Sequence, residues 1–347
     1  MKHSLIMIIP FLVASCTNNP SVTVTTVGNA RDTADLTNDF YDNEPVHELT
    51  KGELMVDGEV YRPGNVDLGS LPLHSVIVKE TILSGDSNRF VGAYRYDGYS
   101  LFDILNQFVP DKVNKEEFPP IIDLYVEITN KEGEKAVFSW GEIYYPVNRH
   151  QIILATKVME IVPSKTKDHW PLPGSWKIVA VPDLITERNL SDPVAITVKS
   201  LGKSFPVDRD KKYTDAVSIF RNDSLLSSFT ILPTNCQFIT YPTIFYGRGR
   251  GIHSVTPFQG VMLKDLLAQY IHSATGALRN GLVTVKGADG YRSAFTLSEI
   301  INRNDQSEVI IVDVGEGEEG GRFRLFPSAD FFSDRAVFSL EEIRADF

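Results

Sequence analysis

The densest chemistry in this chain lies in seven consecutive residues, Gly247-Arg248-Gly249-Arg250-Gly251-Ile252-His253. Glycines let a backbone come close to a bound group, and each arginine carries a planar fork that grips phosphate or carboxylate through paired N–H donors. The run therefore reads as a site for an anion such as a phosphate, with Arg248, Arg250 and His253 as candidate contacts. It is not a nucleotide P-loop, because no strand leading through GxxxxGK[ST] into a helix surrounds it. Other residue types offer less. Asp313-Val314-Gly315-Glu316-Gly317-Glu318-Glu319-Gly320 is acidic but lacks the fixed spacing of a calcium loop, and reads as a solvated turn. The seven histidines are scattered without an i,i+4 pair, so spacing gives no support for a histidine metal cluster. No Gly-x-Ser-x-Gly nucleophile elbow occurs. The loop His169-Trp170-Pro171-Leu172-Pro173-Gly174 is a candidate partner contact, although such loops more often pack on their own domain.

The N-terminus carries a different chemistry. After Met1-Lys2-His3, apolar residues 5–13 are too few for a membrane span of about 20 residues, but suit the core of a signal peptide. The run ends in Val13-Ala14-Ser15-Cys16, which resembles the lipobox of bacterial lipoproteins, in which the cysteine sulfur takes a diacylglycerol. The resemblance implies lipidation at Cys16, a membrane anchor and a place in the bacterial cell envelope facing the periplasm. The chain has two cysteines. With Cys16 lipidated, Cys236 has no partner for an intramolecular disulfide, and a zinc site of cysteine type is excluded. A formal charge of -11 disfavours general nucleic-acid binding, which requires clustered cations.

The elements that must position these residues occur twice. Asp97-Gly98-Tyr99-Ser100-Leu101-Phe102-Asp103-Ile104-Leu105-Asn106-Gln107 matches Gln259-Gly260-Val261-Met262-Leu263-Lys264-Asp265-Leu266-Leu267-Ala268-Gln269, aligned on the glycine. The spacing predicts a glycine turn leading into an amphipathic helix, with Leu101, Ile104, Leu105 and Phe108 on one face and Ser100 at its start. Downstream, residues 133–143 echo 290–300, 151–155 echo 308–312, and 177–182 echo 322–327. Three further blocks in the same order predict two copies of one domain. A length of 347 residues fits two domains of ordinary size. Residues 1–16 are expected to be the signal peptide, 17–50 a flexible tether, and 51–200 and 201–347 the two domains. Strands are predicted at 124–128, 135–138, 152–155, 176–181 and 194–198, and in the second copy at 217–220, 282–286, 292–296, 309–312 and 323–326. Many short strands with one clear helix per copy indicate an α+β fold of two tandem β-rich domains.

Each copy resembles the molybdopterin-binding domain of sulfite-oxidase-type oxidoreductases. The resemblance rests on Val56-Asp57-Gly58, Leu71-Pro72, residues 260–267, Ala288-Asp289-Gly290-Tyr291 and Gly320-Gly321-Arg322-Phe323-Arg324-Leu325-Phe326-Pro327. It implies molybdopterin as cofactor, a cysteine thiolate on molybdenum near the strand that follows the Leu-Pro pair, and a basic residue near Arg335. No cysteine stands at that position in either copy. Cys236, three residues after Pro233, serves as metal ligand only if the strand is shifted. Of the family's basic motif, Arg335 and Val337 remain. The expectation is an envelope lipoprotein with two degenerate molybdopterin-oxidoreductase-type domains that bind a ligand or an envelope protein without molybdenum redox catalysis. A molybdopterin-dependent oxidoreductase using Cys236 is the alternative.

Overall fold

The computed structural model describes residues 44–85, 87–163, 165–271, 274–315 and 320–347. Cys16, the signal peptide and most of the tether lie outside the described residues, as does part of the acidic run, residues 316–319. The first half runs β1 (His47–Glu48), β2 (Met55–Gly58), β3 (Gly64–Asn65), β4 (His74–Ser84), β5 (Ser87–Ser100), α1 (Leu101–Leu105), β6 (Leu124–Asn130), β7 (Lys135–Ser139), α2 (Trp140–Tyr144), β8 (Ile152–Glu160), β9 (Lys177–Ala180), β10 (Leu190–Ser191) and β11 (Pro193–Ser200). The second runs β12 (Val217–Arg221), β13 (Ser224–Phe229), β14 (Phe238–Tyr241), β15 (Phe245–Gly247), β16 (Gly251–Ser254), β17 (Phe258–Met262), α3 (Leu263–Leu267), α4 (Thr275–Asn280), β18 (Leu282–Gly287), β19 (Arg292–Thr296), α5 (Leu297–Ile301), β20 (Val309–Asp313), β21 (Phe323–Pro327) and β22 (Leu340–Asp346).

The α+β expectation is corrected. Strands make up 45% of the chain and helices 11%, and the four larger sheets stand in a four-bladed, propeller-like arrangement. The physical reason is helix length. The apolar residues at helical spacing are real, and Leu101, Ile104 and Leu105 are buried, but α1 and α3 are five residues each. So short a helix does not stand alone. It plugs the end of a sheet and adds no layer.

The expected glycine turns are also corrected. Gly98 lies within β5, where the register shifts against β8, and Gly260 lies within β17. A Cβ at Gly98 would overlap the Leu154 carbonyl oxygen, and one at Gly260 the Ile311 carbonyl oxygen. Both glycines are there because a neighbouring strand comes too close for any side chain.

The two halves share a strand order. In one sheet of the first half the order is β3-β2-β11-β6-β7, and in the second half β13-β12-β22-β18-β19, each with one parallel pair, β2 with β11 and β12 with β22. The other sheets run β4-β5-β8-β9-β10, with β1 added on β8, and β14-β17-β20-β21. Local chemistry fixes several turns: Asn222 and Asp223 both take left-handed φ, as a two-residue hairpin between β12 and β13 requires. Each half buries its own apolar core, one around Tyr96, Leu101, Leu124 and Phe138 and the other around Leu263, Phe295, Leu297 and Phe323.

Where the halves meet, α2 and β7 face β19, α4 and α5. The seam is charged and buried. Ser139 caps α2 and Thr296 caps α5, each in a reciprocal box with a glutamate three residues on, Glu142 and Glu299. Arg188 binds Asp183 and Glu142 in two-pronged fashion and reaches across to Thr296 Oγ1 at 3.0 Å. Arg335 stands on the other side, binding Asp330 in two-pronged fashion and Glu299 through one bond, and reaching Ser139 Oγ at 3.3 Å. The two guanidiniums cover equivalent rings, Phe138 and Phe295, each 4.4 Å from the centroid.

Candidate functional site

The Gly247–His253 stretch forms a separate two-stranded hairpin, β15 with β16, turning through Gly251 at a φ of 79°. A Cβ at Gly247 would overlap the His253 ring, so this glycine lets the imidazole fold back over its own hairpin. The ring lies 5.1 Å from that of Phe245. Beneath the hairpin is a cavity of about 460 Å³ lined by Arg248, Arg250, His253, Asp289, Tyr291 and Phe338, among others. It adjoins an apolar cavity of about 300 Å³ whose walls include Phe245, Phe258, Phe326 and Phe338.

Charge in this pocket is uneven. Arg248 is exposed and reaches Asp334 Oδ1 at 3.3 Å. Arg250 is exposed and makes no side-chain hydrogen bond or ion pair among the described residues. Asp334 Oδ2 is buried without a hydrogen-bond partner. Tyr291 donates its phenol to the Asp334 carbonyl at 2.5 Å, and burial, reinforced by the Asp334 charge, pushes that phenol well above its ordinary range. The pocket thus offers one uncommitted guanidinium, a half-committed one, an imidazole and an aromatic floor. That combination suits a ligand with a planar ring and an anionic group.

Two residues expected to join Arg248, Arg250 and His253 stand elsewhere. Cys236 occupies the bend before β14, is buried in the core with Leu232 and Val261, and does not line either cavity. Its Sγ accepts an N–H from Gln269 at 3.1 Å, and burial pushes the thiol above its ordinary value. A protonated thiol in an apolar shell is a poor metal ligand, since the thiolate is the ligating form. Arg335 is spent in the seam between the halves. These positions do not fit a molybdenum centre held by a thiolate and a basic shell.

Two other stretches are tied to their own domain at single residues. In the aromatic loop, Trp170 donates its indole N–H to the Ile161 carbonyl at 3.1 Å and packs edge-on against Phe90. In the acidic run, Asp313 is held by Arg322 at 3.1 Å.

Sequence reasoning missed a second constellation, on the first half. His74 Nε2 lies 2.8 Å from Asp103 Oδ2, and His150 Nδ1 lies 3.3 Å from the same oxygen. The imidazoles stack at 4.4 Å with an interplanar angle of 12°. Ser100, the N-cap of α1, donates to Asp103 Oδ2 at 2.5 Å and sits 3.0 Å from His150 Nδ1. Burial pushes the Asp103 carboxyl up, but hydrogen bonds from Ser100 and His74 and the nearby imidazoles outweigh it and leave the group below its usual range. Burial also lowers His150, against the pull of Asp103. Asp103 has a counterpart in Asp265, but the histidines do not recur in the matched blocks, so only pairing register could have shown the cluster. No family model matches this chain, and no curated protein is similar enough to it to count as a match.

Proposed function

We propose that the protein is a lipid-anchored envelope protein whose second half binds a small anionic ligand with a planar ring under the 245–254 hairpin, without molybdenum redox chemistry. The reading rests on one observation: Arg250, without an ion-pair partner among the described residues, lines a pocket whose walls include Phe245, His253, Tyr291 and Phe338, where of the two aspartates present Asp334 is already paired with Arg248. An uncommitted guanidinium beside an aromatic floor gives an anion a bidentate partner and its ring a stacking surface. The membrane anchor rests on the Val13-Ala14-Ser15-Cys16 motif alone. The buried, hydrogen-bonded Cys236 supports the non-redox part of the reading.

The test uses the full chain made in a host that synthesises molybdopterin, with metal analysis and titration of a fluorescent pterin carboxylate followed by polarisation. Purified protein should carry no molybdenum, and Cys236→Ser should cost little stability because serine can still accept the Gln269 N–H. The probe should bind the parent and lose at least tenfold in affinity in Arg248→Ala/Arg250→Ala. Both arginines are exposed, so folding should be unaffected. Equal binding by the double variant would remove the hairpin pocket as the site. Near-stoichiometric molybdenum that disappears in Cys236→Ser would replace this reading with the oxidoreductase one.

A further inference from the structure

We propose that His74, Asp103 and His150 form a binding site for a divalent first-row transition-metal ion on the first half of the protein. Three separate segments deliver the ligands. His74 opens β4 and pairs opposite Gly98, near the end of β5. Asp103 lies in α1, which continues directly from β5. His150 lies two residues before β8, whose Ile153 pairs with Ser100. Two antiparallel registers thus bring three strand termini to one end of the same sheet.

The donor geometry is close to what an ion needs. Ligand atoms around an ion with bonds of about 2.0–2.2 Å stand roughly 2.8–3.6 Å apart in octahedral (cis) or tetrahedral array. Two of the separations are 2.8 and 3.3 Å, and all three donor atoms lie within 4.8 Å of one another. A modest rotation of one ring closes the set. His150 adopts a φ of 67°, uncommon for a side-chain-bearing residue, and this holds its ring against that of His74. Ser100 Oγ donates to that same Asp103 oxygen at 2.5 Å and stands 3.0 Å from His150 Nδ1, so the hydroxyl holds two of the ligand atoms in place. Arg149, the nearest cationic side chain in sequence, turns its guanidinium onto the Phe102 ring at 4.8 Å.

Chemistry chooses the class of ion. Two imidazoles and one carboxylate suit zinc, iron(II) or their neighbours, whereas calcium and magnesium take oxygen. The three side chains keep between 13% and 33% exposure, which leaves room for water or a small ligand at an open coordination position. Among the described residues the second half does not repeat the arrangement: in its equivalent helix, α3, Lys264 is paired with Glu308.

The test titrates Zn²⁺ into the full, untagged chain after chelator treatment, by isothermal calorimetry. One equivalent should bind, and His74→Gln and His150→Asn should each weaken binding at least tenfold. Asparagine is chosen at 150 because it tolerates left-handed backbone. His169→Gln and His253→Gln should leave binding unchanged. Circular dichroism of the metal-free variants checks that they fold. Independently of any variant, pulsed electron paramagnetic resonance of the Cu²⁺-loaded parent should show two coordinated imidazoles. Absence of stoichiometric binding, binding indifferent to residues 74 and 150, or a spectrum with fewer than two imidazoles would each overturn the proposal.

Discussion

Replacing Arg335 with methionine would separate a structural role from a cofactor role. The guanidinium is 1% exposed and binds Asp330 twice, at 2.7 Å each, and Glu299 at 2.6 Å. Both carboxylates are buried, at 0% and 2% exposure, and Glu299 also closes the capping box of α5. Burial alone would lower the pKa of Arg335, but the charges of Asp330 and Glu299 more than offset it, so the arginine stays cationic. Arg335→Met keeps most of the volume and strands two acids without a cation. Breaking a buried pair in this way costs about 3–5 kcal/mol. At about 2–4 °C per kcal/mol for a cooperative unit of 150–250 residues, the unfolding midpoint should fall by roughly 10 °C in calorimetry. The symmetry of the seam predicts a similar loss for Arg188→Met. Neutralising the acids together, in Arg335→Met/Glu299→Gln/Asp330→Asn, should recover much of the stability, because glutamine can still close the capping box. Affinity for the pterin probe should not change. The reasoning fails if Arg335→Met unfolds within about 1 kcal/mol of the parent, well short of the range for a broken buried pair, or if it loses probe binding while keeping its midpoint.

The remaining predictions are more local. Gly98→Ala and Gly260→Ala each drive a methyl into a strand carbonyl, so chemical denaturation should show each losing about 1–3 kcal/mol or more. Glu117 lies below its ordinary value of 4.5, chiefly through the Ser204 hydroxyl, against a burial effect and with help from the Phe205 amide and Arg292. Its contribution to stability is complete above pH 4.5 and is lost as pH falls through its lowered value. The midpoint difference between parent and Glu117→Gln should accordingly shrink in acid, and a difference that grows below pH 4.5 would contradict this assignment. Cys16→Ala should leave unprocessed precursor on gels, an outcome excluded if the variant matures and fractionates with membranes like the parent.

What could be read from the sequence alone follows interactions between near neighbours. Alternation placed strands at 124–128, 135–138, 282–286 and 292–296, and the structure has β6, β7, β18 and β19 there. The echo around Gly98 and Gly260 reappears as two sheets with matching strand order. Arg248 and Arg250 stood out as candidate anion contacts because glycine and arginine carry their chemistry in any fold. Three things needed the tertiary structure. Helix length was one, since a stripe of leucines at helical spacing looks the same whether the helix runs five residues or fifteen, and only the packing of α1 against its sheet stops it. The placement of Cys236 and Arg335 was another, because burial of a thiol and the partners of a guanidinium are set by distant segments. The last was the meeting of His74 with Asp103, 29 positions apart along the chain, and of His150 with Ser100, 50 positions apart, both closed by strand register. A register is a choice among many pairings of similar local energy, and it is decided by the whole buried face of a sheet.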